Sequence, residues 1–169
     1  MRIIESFNDI QLSDQRSVIA IGNFDGLHRG HKALIKTAQK IAAEHNTSMA
    51  VLTFEPHPRQ LFQPDQPPAR LTPMPIKEKL LQDQAVDTLI SIPFTWDFAS
   101  QSAQDFVQKI LIEQLNAAHI VIGDDFCFGQ LRQGNAQTIK DHNLAVTTCL
   151  LYTSPSPRDG ATSRMPSSA

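Results

Sequence analysis

The chain alternates short, almost wholly apolar runs with longer segments in which apolar residues recur every three or four positions. Runs of the first kind have the length and composition of strands that are covered on both faces of a sheet. The predicted strands are Arg2–Ile4 at a sheet edge, Val18–Ile21, Met49–Phe54, Thr88–Ile92, Ile120–Ile122 and a last strand near Ala145–Thr147.

Segments of the second kind predict amphipathic helices between these strands. The predicted helices run from about Leu34 to His45, Ile76 to Ala85, Ser102 to Leu115 and Thr138 to Leu144. The proline-rich stretch Gln63–Pro75 shows little periodicity and predicts a long loop. Because strands and helices alternate throughout, we expect an α/β fold in which helices cover both faces of a parallel sheet.

Composition narrows the possibilities without identifying a function. The 169 residues suit one domain with a substantial core, and 41% of them are hydrophobic, as in soluble globular proteins. The formal net charge of -2 gives no indication of a nucleic-acid partner. No segment resembles a leader peptide or a membrane span, and Cys127 and Cys149 lack disulfide-framework spacing, so we expect a cytoplasmic protein.

The most informative segment lies where the second predicted strand meets the first predicted helix. Gly22, Asp25, Gly26, His28 and His31 fall within ten residues there. If the helix has begun by His28, the three-residue spacing places the two imidazoles close together. Glycines let the backbone approach a ligand closely, and the first turn of a helix offers unpaired N–H groups to an anion. We therefore predict a site for nucleotide phosphates. Two alternatives stay open: a tight turn with two solvated histidines, and a metal site of Asp25, His28 and His31.

Two further strand ends carry polar and aromatic residues. After the third predicted strand, His57 and Arg59 could meet a phosphate, and Phe54 and Phe62 could flank a flat ring, although a proline-stiffened surface loop is the simpler interpretation. After the fifth, one of two adjacent aspartates, such as Asp125, could hold Mg²⁺ or accept hydrogen bonds from a ligand. We expect all three clusters to converge, because carboxyl ends of parallel strands share one sheet edge.

Four stretches together resemble the FMN adenylyltransferase module of the bacterial bifunctional riboflavin kinase/FAD synthetase family. They read IGNFDGLHRGH (21–31), TFEPHPRQLF (53–62), PARLT (68–72) and GDDFCFG (123–129), the last followed by Arg132, Gly134 and Asn135. An HxGH motif alone indicates only the wider nucleotidyltransferase superfamily, whereas the four stretches at this spacing are specific. The resemblance extends from Val18 to about Val146.

This resemblance implies a Rossmann-like nucleotidyltransferase fold and the transfer of AMP from ATP to FMN, giving FAD and pyrophosphate with Mg²⁺. It implies that His28 and His31 are catalytic and bind the ATP phosphates. The other residues implied at the ATP site are Gly22, Phe24, Asp25 and Gly26. Those implied on the flavin side are Phe54, Pro56, Arg59, Phe62, Asp125, Phe126 and Phe128.

The sequence also departs from the family pattern. Cys127 stands where members often carry arginine, and we interpret it as a small buried residue. We take residues 1–148 as the adenylyltransferase-like domain and residues 149–169, rich in Ser and Pro, as an irregular, disordered tail outside it. By the resemblance, family members continue with a Ser/Thr-Arg segment that completes the ATP site and then with a riboflavin kinase domain. We expect both to be absent here, and we expect the loss of the Ser/Thr-Arg segment to impair activity. The alternatives are another HxGH-type nucleotidyltransferase and a fragment that binds flavin or nucleotide without turnover.

Overall fold

A computed structural model describes residues 1–11, 14–55, 62–63, 65 and 72–150 of the chain. Six strands occur within these residues: β1 (Arg2–Ile4), β2 (Val18–Ile21), β3 (Met49–Glu55), β4 (Thr88–Pro93), β5 (His119–Gly123) and β6 (Val146–Cys149). They form one sheet in the order β1-β4-β3-β2-β5-β6, and every pair of neighbours is parallel. Each predicted strand is present, and β1 lies at an edge as expected.

The helices of the described chain follow the prediction with shifted ends, except that the four-residue helix Trp96–Ala99 was not predicted. They are α1 (Arg29–Glu44), α2 (Met74–Asp83), α3 (Trp96–Ala99), α4 (Ala103–Asp105, continued by a π-helical segment, Phe106–Gln114) and α5 (Ala136–Asp141). The predicted loop Gln63–Pro75 ends sooner than expected, because α2 begins at Met74. A proline is tolerated there, since the first helical turn has no partner for the missing N–H.

Helices cover both faces of the sheet, as expected. Val18 and Ala20 of β2 pack in one core cluster with Leu34 and Ala38 of α1. The alternate residues of β2 point to the opposite face and belong to a second cluster with the apolar side of α4. This two-sided burial explains why the strand sequences are apolar at nearly every position.

The connection order places a crevice next to β2. From β2 the chain moves to β3 and β4 on one side, and later returns to β5 on the other side of β2. Where the direction of winding reverses, the loops leaving the two neighbouring strands diverge and leave room for a ligand at their carboxyl ends. Gly22 follows β2 and Gly123 ends β5, so both flank this crevice.

Candidate functional site

A cavity of about 1210 Å³ opens at the carboxyl edge of the sheet. It brings together the glycine–histidine turn after β2, Phe54 of β3, aromatic residues that follow β4, and the segment after β5. The predicted site residues that line it are Gly22, Phe24, Asp25, His28, His31, Phe54, Phe62, Asp125, Phe126 and Phe128. Gly26 belongs to the same turn but does not line the cavity, and Pro56 and Arg59 lie outside the described residues.

The turn after β2 is held in an unusual backbone conformation by its neighbours. Phe24 is left-handed (φ 53°), and the single 3₁₀ turn Asp25–Leu27 follows, with Gly26 at φ 73°. The backbone N–H of Gly26 donates to Oγ1 of Thr72 (3.0 Å), and the N–H of Thr72 donates to Oδ1 of Asp25 (2.9 Å). This reciprocal pair ties the turn to the segment that leads into α2.

The two histidines meet at the start of α1. His28 is the N-cap, and its Nδ1 accepts a hydrogen bond from the N–H of Gly30 (3.1 Å), which leaves Nε2 as the nitrogen that can donate. The rings of His28 and His31 stack with their centroids 3.8 Å apart. The spacing of three residues therefore brings both imidazoles to one place, as the sequence predicts.

His31 is electrostatically unusual. Burial, and then the neighbouring His28, lower its pKa from 6.5 to about 4, while Asp25 opposes this shift. Its Nδ1 is buried and has no hydrogen-bond partner among the described residues. At neutral pH the ring is therefore uncharged and acts on a ligand through hydrogen bonding. The alternative of two solvated histidines fits only His28, which is exposed, because His31 is half-buried.

Lys77 of α2 is a site residue that the sequence analysis missed. It is only 3% exposed, and its Nζ donates to the backbone oxygen of Asn23 (2.8 Å) and lies 4.0 Å from Oε2 of Glu55. Oγ1 of Thr53 donates to the same oxygen (3.3 Å). The available signal was position, since Lys77 lies four residues before the buried Leu81 and thus on the apolar face of α2.

A group of contacting aromatic rings also lines the cavity. Phe54 contacts Phe94 and Phe98 at centroid distances of 5.9 and 5.5 Å, and Phe106 contacts Phe128 at 5.0 Å. Such tilted and edge-to-face contacts are the favoured geometry for aromatic pairs. Phe94, Phe98 and Phe106 were not among the predicted site residues, yet all of them line the cavity.

The rim is completed by the segment that follows Phe128. Phe128 and Gly134 pair through two backbone hydrogen bonds (3.1 and 2.8 Å), which close a short loop carrying left-handed Leu131 and Arg132 (φ 56° and 54°). Among the described residues that line the cavity, Arg132 is the one lysine or arginine. Cys127 lines the cavity and is half-buried, so our interpretation of it as a small buried residue is wrong.

Comparison with known proteins decides the family. The sequence model of FAD synthetase matches residues 10–157 of this chain. The chain belongs to the FAD synthetase family. The predicted resemblance is thereby confirmed, although the division between domain and tail at residue 148 stays a prediction, since residues 151–169 lie outside the described residues.

Comparison with curated members of the FAD synthetase family shows what share of their length this chain matches. The bifunctional riboflavin kinase/FMN adenylyltransferase of Buchnera aphidicola subsp. Schizaphis graminum is 37% identical over 141 residues, which cover 83% of this chain and 45% of that protein. The Escherichia coli K12 protein of the same name is 38% identical over 136 residues, 80% of this chain and 44% of that protein. The chain thus spans slightly less than half the length of these relatives.

A solved structure supports the fold expected of the FAD synthetase family. The crystal structure described as a macrolide-efflux protein from Streptococcus pneumoniae is 30% identical, with a TM-score of 0.77, over 88% of this chain and 50% of that one. The expected α/β nucleotidyltransferase fold is confirmed. In the part of the chain that the structure describes, no helix is both long and apolar enough to cross a membrane.

For a metal ion, the site offers few protein ligands. No group of three His, Cys, Asp or Glu in residues 1–11, 14–55, 62–63, 65 and 72–150 is arranged to hold one, so the predicted alternative of a site made by Asp25, His28 and His31 is not supported. Mg²⁺ that travels with nucleotide phosphates needs only one or two carboxylates from a protein. Asp25 and Asp125 line the cavity and fit that requirement.

Proposed function

We propose that this chain transfers AMP from ATP to FMN, giving FAD and pyrophosphate. The observation that carries the proposal is one cavity with a glycine–histidine turn in one part and an aromatic wall in another. FMN and ATP each combine a flat ring with phosphate, and the reaction requires the two phosphates to meet. We further propose that both small molecules are met in the cytoplasm.

The turn after β2 suits the phosphates of ATP. The start of α1 supplies backbone N–H groups and the positive end of the helix dipole, and Gly22 brings the backbone close. His28 can donate a hydrogen bond through Nε2, and His31 lies stacked beside it. Arg132, which also lines the cavity, adds a charge-assisted donor for a second phosphate group.

The aromatic wall suits the isoalloxazine ring of FMN. A cavity of about 1210 Å³ exceeds the ~300–1,000 Å³ typical of a pocket for one small molecule. Phe54, Phe126 and Phe128 line it with apolar surface, and Asp125 is exposed and can accept hydrogen bonds from ring N–H groups. There is thus room for two substrates placed end to end.

The reaction depends more on the alignment of the two phosphates than on the activation of a nucleophile. The phosphate of FMN is already anionic near neutral pH, so attack on the α-phosphate of ATP needs no activated side-chain nucleophile. Negative charge builds on the departing pyrophosphate, and donors fixed beforehand at that position lower the barrier. We assign this role to His28 and His31, with Asp25 and Lys77 holding the turn in place. Bound Mg²⁺ would supply further neutralisation of phosphate charge.

The test is a turnover assay with ATP, Mg²⁺ and FMN, in which FAD and pyrophosphate are both measured. We expect His28→Ala and His31→Ala each to lower kcat/KM by about 10²–10³, as for loss of a fixed donor to developing charge. Lys36→Ala, an exposed change on the same helix, is the matched control and should leave turnover unchanged.

Other acceptors make the assay discriminating. Phosphopantetheine, nicotinamide mononucleotide and a polyol phosphate are tried in place of FMN, because related nucleotidyltransferases of the HxGH type act on acceptors of these classes. Product from one of them and none from FMN would replace the proposed substrate. FMN binding without any turnover would reduce the proposal to a flavin-binding fragment.

A further inference from the structure

Trp96 is an exposed aromatic residue at the mouth of the cavity that no motif assigns. We propose that its indole ring forms the outer stacking face for the isoalloxazine ring of the flavin, which makes Trp96 a substrate-contacting residue. The inference rests on the proposed function, because Trp96 can stack on an isoalloxazine ring only if the cavity binds FMN. It adds one residue, outside the four family-like stretches, to the site.

Exposure is the first reason. Trp96 is 61% exposed and Phe62 is 53% exposed, although both are large and apolar. Their ring centroids lie 5.2 Å apart with an angle of 79° between the planes, so the two rings form a corner. Both rings line the cavity. Large aromatic side chains left in contact with water beside a cavity are typical of a binding surface.

Continuity is the second reason. Phe62 contacts Phe94 at 6.0 Å, and Phe94 contacts Phe54 at 5.9 Å, so a chain of rings leads from the exposed corner to the buried wall. The histidine pair has a different aromatic neighbour, Phe24. Trp96 therefore belongs to the wall proposed for the flavin and is separate from the turn proposed for the ATP phosphates.

Anchoring is the third reason. Trp96 is the first residue of α3, and Oγ1 of Thr95 caps that helix by accepting a hydrogen bond from the N–H of Phe98 (3.2 Å). Phe98 packs into the core against Phe54 (5.5 Å) and Phe106 (5.9 Å). The helix is thus fixed by Phe98 while Trp96 faces the cavity, so little conformational freedom would be lost when a ring stacks on the indole.

The photochemistry of the two rings provides a direct test. An indole in van der Waals contact donates an electron to an excited flavin and quenches its fluorescence, whereas a phenylalanine ring does not. The sequence contains one tryptophan and one tyrosine. Trp96 is that tryptophan, and Tyr152, the other efficient electron donor, lies outside the described residues.

The experiment titrates FMN with the wild-type chain, Trp96→Phe, Trp96→Ala and Tyr152→Phe, and compares the emission of bound FMN with its affinity. We expect bound FMN to be strongly quenched in wild type and Tyr152→Phe, and to regain most of its emission in Trp96→Phe with affinity nearly unchanged. Trp96→Ala should bind FMN about five- to tenfold more weakly, the usual worth of an aromatic contact.

The outcomes separate this inference from the proposed function. Equal emission of bound FMN in wild type and Trp96→Phe overturns the stacking proposal and leaves the proposed activity standing. Absence of FMN binding to the wild-type chain overturns both. Quenching that disappears in Tyr152→Phe instead transfers the contact to that residue.

Discussion

The surroundings of His31 determine its chemical state. Its ring is half-buried beside His28 and Phe24, and burial, followed by the charge interaction with His28, lowers its pKa to about 4. A charged histidine would attract an anion more strongly, yet the ring at the start of this helix is neutral. A neutral donor holds a phosphate without the energetic cost of a second buried charge beside the helix dipole.

The lowered pKa of His31 predicts a specific dependence of stability on pH. Between pH 6.5 and pH 4 the unfolded chain takes up a proton at this residue that the folded chain excludes, so folding is penalised as the pH falls. Above pH 6.5 both states are neutral and the penalty disappears. We expect wild type to lose more thermal stability across this window than His31→Gln, whose side chain does not titrate.

The measurement is the unfolding temperature of both proteins across that pH range. Lys36→Gln, an exposed change on the same helix, is the matched control, because it leaves both histidines of the turn in place. Its pH dependence should follow that of wild type. Parallel curves for wild type and His31→Gln would contradict the assignment of a neutral His31.

Whether a contact between two site residues could be predicted depends on how far apart the two residues lie in the sequence. The meeting of His28 and His31 follows from helical spacing, and the sequence predicts it. The contact between Lys77 and the oxygen of Asn23 joins residues 54 positions apart, and no local pattern indicates it. Predicting it requires knowing that α2 packs beneath the turn after β2. The chemical roles of the site residues stay predictions.

At the scale of elements, apolar runs and helical periods predict which segments are strands and helices. Ends are harder to predict, because capping and packing decide them, as with the start of α2 at Met74. The π-helical hydrogen bonding of Phe106–Gln114 was not predicted either. Each hydrogen bond of a π-helix spans one residue more than that of an α-helix. The spacing of apolar residues along the segment therefore still resembles that of an amphipathic helix.

The loop after Phe128 gives a prediction at this scale. Gly129 has φ 78° and ψ 178°, a region open essentially to glycine alone, and a Cβ there would lie 2.7 Å from the backbone of Ala103. We expect Gly129→Ala to lower the free energy of unfolding by about 2–3 kcal/mol, because both the strain and the contact must be relieved.

The same loop supplies the control. Leu131 is left-handed as well (φ 56°), but its side chain is 81% exposed and removing it uncovers little apolar surface. Leu131→Gly should change the free energy of unfolding by less than about 1 kcal/mol, since glycine adopts this conformation without strain. Chemical denaturation of both variants tests the pair. A Gly129→Ala protein as stable as Leu131→Gly would show that the loop relaxes freely.

At the scale of the whole molecule, the sheet order creates the site. The reversal at β2 opens a crevice between the loops that leave β2 and β5, and the aromatic side chains of α3 and α4 extend it on one side. Alternation of strands and helices predicted this edge as the meeting place of the three clusters. The size of the cavity could not be predicted, because it depends on how Phe94, Trp96, Phe98 and Phe106 pack.

A cavity with two chemically different parts predicts two separable binding effects. A ligand at 100 times its Kd stabilises the folded state by about 2.7 kcal/mol, which raises Tm by roughly 5–10 °C in a chain of this size. We expect FMN and α,β-methylene-ATP, whose α–β bridge cannot be cleaved, each to raise Tm in this way. Because they occupy different parts, their shifts should be close to additive.

One variant in each part of the cavity tests whether the two ligands bind at separate places. His28→Ala removes a donor at the turn and should reduce the shift caused by α,β-methylene-ATP while leaving that of FMN intact. Phe126→Ala removes part of the aromatic wall and should have the opposite selectivity. If either variant diminished both shifts equally, the two ligands would share one subsite. The in-line meeting of two phosphates would then lose its structural basis, because the transfer requires both substrates to be held at once.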